Sequence, residues 1–447
     1  MTRVNRLFLT FFLVTLMLLG AKNPAWAQNP TILEISNPFK NKTPFALPNF
    51  AALGPSPKAA LLATEARDLL ERTLLFTGYF RMVNPDAFLE TPSRTGIDES
   101  SIHFDRWRST GSELLITGSL AVSGQSIVGE FHFYDIFRAK SLFGVRYRTT
   151  ISNLRPMILR LADKIMLTYS GKRSCFSSRI AFISNASGVK EVYVCDFDAH
   201  KPVKVSANNA ITLTPSWSPD GKKLAYTSYV HGKPDVFTQG AWPGAKRNRL
   251  TSKGTTNITP SWSPNGKNLA ASLTIKGDQA IYLLTQKGKI RKRLTRKWSK
   301  WGIDVSPVFS PSGDQIAFVS KRSGTPQIYI KNLRSGRTER LTFDGRYNTS
   351  PAWSPSGDRI AYAGSHNGHF DIYVIDIREG KIRQLTFDSG DNETPSWSPD
   401  GNLIVFSSNR SGKNALYVMN AYGTDQRKLA TLPGEQTAPV WSPNLKQ

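Results

Sequence analysis

The chain offers few groups able to do covalent chemistry, and they are scattered. Its six histidines are His103, His132, His200, His231, His366 and His369. None stands in the His-Glu-x-x-His spacing that turns two imidazoles toward zinc from one helix face. His366 and His369 are close, but they lie on a Gly-containing turn where an exposed loop is the simpler reading. Ser187-Gly188-Val189-Lys190 has the Ser-x-x-Lys spacing in which an amine could activate a hydroxyl, yet it sits between two apolar runs as a hairpin tip would. There is no Gly-x-Ser-x-Gly elbow, P-loop or dinucleotide fingerprint. Cys175 and Cys195 could form a disulfide in an oxidising compartment. A hairpin turning near Ser187 would set Cys195 opposite about Arg179, with Cys175 a few residues past simple cross-strand reach. The residue types therefore predict no catalytic centre, no metal site and no cofactor.

The elements that would carry a site are spelled out by a repeated phrase. Trp217-Ser218-Pro219-Asp220-Gly221 returns at Trp262, Phe309, Trp353 and Trp397, and Trp441-Ser442-Pro443-Asn444 closes the series. The prolines at 219, 264, 311, 355, 399 and 443 are spaced by 45, 47, 44, 44 and 44 residues. That period suits a propeller, with four strands in roughly 40–45 residues. Pro presets the second turn position, Asp, Asn or Ser suits the third, and Gly closes the hairpin with a positive φ. The Asp is replaced by Asn or Ser in other copies, which fits a turn and not ion binding. Alternating apolar runs follow each turn, such as Leu224-Ala225-Tyr226 and Ile360-Ala361-Tyr362, then a third strand such as Asp371-Ile372-Tyr373-Val374, then a fourth ending in Arg340-Leu341-Thr342 or its equivalents.

Arg179–Ile183 and Glu191–Val194 look like second and third strands with no Trp-Ser-Pro strand before them, whereas the last Trp-Ser-Pro has no strands after it. The expected fold is mainly β. It is a six-bladed propeller over 179–447, closed when the C-terminal strand supplies the missing inner strand of the first blade. Before it, 171–178 reads as a linker and 58–170 as a small α/β domain. That domain has helices from Pro57 to about Phe76 and from Ile151 to Tyr169, and strands at Phe80–Val83, Leu114–Val122, Ser126–Asp135 and Ser141–Thr150. Residues 28–57 read as a mobile, partner-binding segment with one apolar stretch at Thr43–Phe50 that could instead pair as an edge strand.

Residues 1–27 have the form of a secretory signal peptide. Arg3 and Arg6 precede an apolar run from Leu7 to Leu19, and Ala25-Trp26-Ala27 places cleavage between Ala27 and Gln28. The expected product is Sec-exported, soluble and monomeric. The formal charge of +25 becomes +22 once Arg3, Arg6 and Lys22 are removed. Export argues against nucleic acid and toward anionic lipid, lipopolysaccharide or acidic proteins. Lys287, Lys289, Arg291, Lys292, Arg293, Arg296, Lys297 and Lys300 form the densest basic tract, either a solvated outer strand and loop or a docking patch for an anionic envelope surface.

In an up-and-down blade, the loops entering the inner strands share a face with the hairpins between second and third strands. These loops carry Trp298, Trp301 and Tyr347 among Asp, Asn and Arg, the composition of a protein-binding surface. With the signal peptide, the small α/β domain, the Ser-Pro-[Asp/Asn/Ser]-Gly turns and the terminal Trp441-Ser442-Pro443, residues 28–447 resemble the TolB family, the periplasmic propellers of the Tol-Pal system. Lys42–Phe50 is similar to the segment after the signal in that family.

The resemblance implies a non-enzymatic scaffold for outer-membrane integrity and envelope constriction at division. Its propeller face would bind Pal, the peptidoglycan-associated lipoprotein, and its N-terminal segment the C-terminal domain of TolA. The aligned Pal positions are Thr256, Asn257, Thr259, Asp304 and Val305; face geometry extends them to Trp301, Tyr347, Asn348, Asn392 and Glu393. The TolA segment would present Pro44, Phe45, Leu47, Pro48 and Phe50. The competing readings are a binder of anionic glycans or lipids and a propeller hydrolase or lyase. A hydrolase would need a serine elbow, and a lyase a cluster of His and acids on the channel.

Overall fold

The computed structural model describes residues 39–54, 56–92, 96–296, 302–366, 368–429 and 434–445. The signal peptide, its cleavage site at Ala27 and Gln28, and residues 28–38 lie outside them, as do Lys297, Trp298, Lys300 and Trp301. The chain divides into two compact units, Met1–Asn41 and Lys42–Gln447. In the first, only a turn at Phe39–Asn41 is described.

The second unit opens with an apolar run that the sequence left as an edge strand or a mobile tail, and here the structure corrects the reading. Strand β1 (Thr43–Ala46) lies between two parallel neighbours, β3 (Phe80–Met82) and β4 (Leu114–Ser123), while β2 (Ala51–Leu53) runs parallel to the far half of β4. β5 (Ser126–Asp135) and β6 (Lys140–Thr150) complete the sheet by antiparallel hairpins. Pro44, Phe45, Leu47, Pro48 and Phe50 are all buried. Phe45 meets Phe80 edge-on at 5.7 Å and Phe50 meets Phe131 at 5.3 Å. An interior strand flanked on both edges has its backbone groups paired and its side chains in the core, so these five residues are not a free partner-binding tail.

Helix α1 (Pro57–Phe76) starts with proline in its first turn, where the missing N–H costs nothing, and Gly78 follows it with φ 80°. It packs with α3 (Leu154–Ser170) against the sheet. Leu62, Ala66, Leu69 and Leu70 meet Ile158, Leu161 and Ile165 over Phe131 and Phe133. Between β3 and β4 lies the short α2 (Phe104–Ser109).

The α/β domain is not held on a free linker. Cys175 and Phe176 are buried in a core continuous with Ile180, Phe197, Val405 and Val418 of the propeller. Phe76 meets Phe197 edge-on at 5.1 Å, and Arg427 donates to the Phe76 carbonyl at 2.6 Å. Lys42 pairs with Asp425 at 2.8 Å, as Arg155 does with Asp198. The two thiols do not form a disulfide. Cys195 sits opposite Ile180, one residue from the expected register, and its Sγ–H points to that residue's own carbonyl at 3.8 Å.

Asp163, on the propeller side of α3, is the costly group at this junction. Burial, with Asp400 nearby, raises its pKa to about 6, against the opposing pull of Ser174 and Arg173. A carboxyl with a raised folded pKa loses stability as pH climbs from the ordinary carboxylate value through about 6. Asp163→Asn is therefore expected to stabilise the protein near neutral pH by on the order of 1 kcal/mol, allowing for partial solvent screening. The gain should vanish below the ordinary carboxylate pKa, and thermal unfolding across pH checks it.

Six four-stranded antiparallel sheets form the propeller, and the C-terminal strand Gln436–Trp441 is the inner strand of the first, as expected. Val440 pairs with Ala181 and Trp441 with Ile180, two residues before Phe182. The repeated turn works as its residues require. Ser218 exchanges backbone bonds with Lys223 and Gly221, its Oγ accepts from the Lys223 N–H at 2.8 Å, and the five turn glycines have φ between 66° and 78°. The tryptophan wedges against the preceding blade: the indole N–H of Trp217, Trp353 and Trp397 reaches a carbonyl of that blade's inner strand (Val440, Val308 and Ala352) at 3.0–3.2 Å.

The fourth-strand Arg-Leu-Thr is equally mechanical. Thr251, Thr295, Thr342 and Thr386 accept, at 2.9–3.1 Å, the N–H of Val236, Ile281, Ile328 and Ile372 on the third strands, and Leu250, Leu294 and Leu385 enter the core. Arg249, Arg293 and Arg340 bind their own threonine's carbonyl through Nε.

Candidate docking face

The inner strands Thr212–Trp217, Asn257–Trp262, Asp304–Phe309, Tyr347–Trp353, Asn392–Trp397 and Gln436–Trp441 surround a central channel of about 550 Å³. Each is interrupted by a bulge in which a non-glycine residue before proline is left-handed: Thr214, Thr259, Ser306, Ser350, Thr394 and Ala438, with φ of 49–52°. Such backbone costs about 1 kcal/mol or more per residue, and the surrounding ring holds it. Thr259 contributes directly, accepting the Ser306 N–H of the next blade at 3.1 Å through its hydroxyl.

The start of four inner strands is where the structure departs most from the expected contact set. Asn257, Asp304, Asn348 and Asn392 are at most 1% exposed. Asn257, Asn348 and Asn392 form polar clasps between blades, and Asp304 a clasp within its own blade, not a surface. Asn257 donates to Asp235 at 2.7 Å, Asn348 to Gln327 at 2.8 Å and Asn392 to Asp371 at 3.2 Å, each partner lying on the third strand of the preceding blade. Arg322 pairs with Asp304 at 3.2 Å. In the first clasp, Lys233 adds a bond to Asp235 at 2.9 Å. Burial pushes the Asp235 carboxyl up, but the bonds from Lys233, Asn257 and Arg249 outweigh it and leave the pKa below the usual range.

Thr256, Val305 and Glu393 are half-buried at the same end of the ring, and Tyr347 is 42% exposed. Burial and the neighbouring Asp391 raise the Glu393 pKa. Two exposed aromatics at this end of the ring were missed from the sequence. Phe343 and Phe387 are 68% and 60% exposed at equivalent places in the loops entering blades 5 and 6. Their signal was present, since Leu-Thr-Phe-Asp occurs at 341–344 and again at 385–388. Phe387 borders a pocket of about 650 Å³ with His366, His369, Asp371 and Tyr373. Tyr347 stands edge-on to Phe370 at 5.6 Å. Exposed aromatics on short loops of a rigid sheet array make an adhesive surface at low entropy cost.

Ser187 and Lys190 flank the hairpin turn of the first blade, where Gly188 has φ 90°. His132, on β5, lies 3.4 Å from Asp98 and 3.5 Å from Glu130, and Arg146 also pairs with Glu130. That group is on the α/β domain, away from the channel strands.

Comparison with known proteins places this arrangement. The family model for the TolB beta propeller domain matches residues 167–445, and that for the TolB amino-terminal domain matches 31–142. The chain belongs to the TolB family. It is 47% identical over 266 residues to the Tol-Pal system protein TolB of Desulfosudis oleivorans, covering 60% of each chain. With that of Bordetella parapertussis it shares 33% identity over 333 residues, 74% of this chain and 72% of the relative. The chain thus spans about six-tenths of the length of the Desulfosudis relative in the matched region. The crystal structure of TolB from Acinetobacter baumannii superposes with a TM-score of 0.77 at 25% identity, over 90% of this chain and 97% of that one.

Proposed function

We propose that this TolB-family protein is a non-catalytic periplasmic docking platform of the Tol-Pal system, holding Pal on the propeller face that carries the entering loops. The reading is supported most by the exposed Phe343, Tyr347 and Phe387 on that face of a closed ring. Thr256, Thr259, Val305 and Glu393 contribute from the ends of the inner strands, while Asn257, Asp304, Asn348 and Asn392 shape the face from inside. Trp301 completes the proposed contact set from outside the described residues. The reading assigns no turnover to the platform, in keeping with the service of Ser218, Asp235 and Thr259 in a turn, a clasp and a bulge. Export to the periplasm rests on the signal-like residues 1–27; among the described residues no helix is long and apolar enough to cross a membrane.

TolA binding belongs, on this reading, to residues 28–38. Releasing 43–50 would strip an interior strand from its sheet, so the apolar stretch anchors the segment before it. Occupancy of the face by Pal would bias that segment by a coupling of roughly 1–3 kcal/mol. The direct test is capture from envelope extract with the mature protein, followed by identification of the bound lipoprotein. Recovery of Pal supports the reading; recovery of lipid alone, or conversion of a small substrate, overturns it. Deleting residues 28–38 should abolish TolA capture and leave the fold intact.

A further inference from the structure

The basic tract read from the sequence becomes, in three dimensions, part of a defined cavity. A pocket of about 430 Å³ opens on the rim where blades 3 and 4 meet, lined by Thr295, Arg296, Arg322, Lys331, Arg337 and Thr338 with Ser335 and Gly336. Only Arg296 comes from the 287–300 tract; the other cations arrive from the second and third strands of blade 4 and the turn after them.

Two of these cations are fixed by the fold before any ligand arrives. Arg322 stacks over Tyr329 at 4.8 Å and Phe318 at 5.3 Å, with its Nε on Ser320 at 2.9 Å. Lys331 donates to the Gly336 carbonyl at 2.6 Å and to Thr338 at 3.3 Å. Asp304 pairs with Arg322, and Glu339 with Arg337. No carboxylate among the described residues forms an ion pair with Lys331, Arg296 or the nearby Lys292. The like charges are felt: burial first, then Arg296, Arg322 and Lys292, hold the Lys331 ammonium below its usual pKa. Positive charge is thus concentrated beyond what the fold neutralises, and a bound anion would relieve it.

We propose that this cavity binds a phosphate group carrying more than one negative charge, such as a phosphomonoester or diphosphate. Guanidinium forks and a lysine point charge match tetrahedral phosphate oxygens, and the threonine hydroxyls supply neutral donors. A single carboxylate would leave most of the surplus charge unanswered. The source is either a free phosphate compound or a phosphorylated lipid headgroup.

The test uses the mature chain at low ionic strength, titrated calorimetrically with pyrophosphate and, separately, sedimented with vesicles bearing a lipid phosphomonoester. Binding of pyrophosphate is expected, weakened about tenfold or more by either Arg296→Gln or Lys331→Gln. Lys276→Gln, with the same charge change on the exposed hairpin of blade 3, should leave it unaltered. Vesicle binding with the same variant pattern assigns the headgroup as the source; pyrophosphate binding alone assigns a free phosphate compound. Absence of binding to both, or an equal loss in Lys276→Gln, would overturn the site and leave only the diffuse field of a basic protein. Pal capture is independent of the pocket substitutions, so failure here is distinguishable from failure of the docking role.

Discussion

Removing residues 434–447 is expected to abolish cooperative folding of the propeller. The lost strand carries Trp441, 5% exposed, whose indole N–H binds Ser178 at 2.7 Å and whose backbone N–H binds Ser396 of blade 6 at 2.9 Å. Truncating a buried tryptophan costs about 3–5 kcal/mol by itself. Losing the strand also bares the edge of Arg179–Ser184 and the facing side of blade 6. Against a typical total of about 5–15 kcal/mol, the sum should exhaust the stability. Urea unfolding followed by near-ultraviolet circular dichroism should show no native baseline for the deletion. Trp441→Ala should fold with a lowered midpoint. A deletion that kept the parent's transition would mean the ring does not depend on its closure.

The second large effect is expected inside the wall of the ring. Asp235→Ala should cost about 3 kcal/mol, because it strands the buried Asn257 amide and leaves Lys233 and Arg249 facing an apolar hole. The folded pKa of Asp235 lies below its unfolded value. Its contribution is therefore complete above the ordinary carboxylate pKa and is lost as pH falls through the lower folded one. The gap between parent and variant should be full near neutral pH and close in strong acid. Chemical unfolding at the two extremes measures it; a gap independent of pH would show that the loss is packing and not the carboxylate.

The local chemistry of the chain was legible because it is local. A turn glycine needs positive φ wherever its blade ends up, and Gly221 and Gly401 have it at 66° and 75°. Closure was legible by counting strands, since no strand runs followed the Trp441 phrase and no Trp-Ser-Pro strand preceded Ile180. What failed were features whose distant partner no repeat announces. Thr43–Ala46 is four residues long and buried on both sides, too short for a period, and its neighbours begin at Phe80 and Leu114. Asn257 looks like a loop residue until Asp235, 22 positions earlier in the preceding blade, is brought to it. The same holds for Asn348 and Asn392, so the expected contact set mixed clasp residues with surface residues. Phe343 and Phe387 were missed for the opposite reason: an apolar residue beside a strand end reads as core, and only the placement of Thr342 and Thr386 turns it outward.

The docking role is tested most directly by calorimetry between the mature protein and the purified soluble domain of Pal, comparing the parent with Phe343→Ala, Tyr347→Ala and Phe387→Ala combined. These side chains are exposed, so thermal unfolding should be unchanged. Affinity should fall by roughly a hundredfold, as when interface anchors are truncated. Unchanged affinity in the folded triple variant would contradict the assignment of this face as the docking surface.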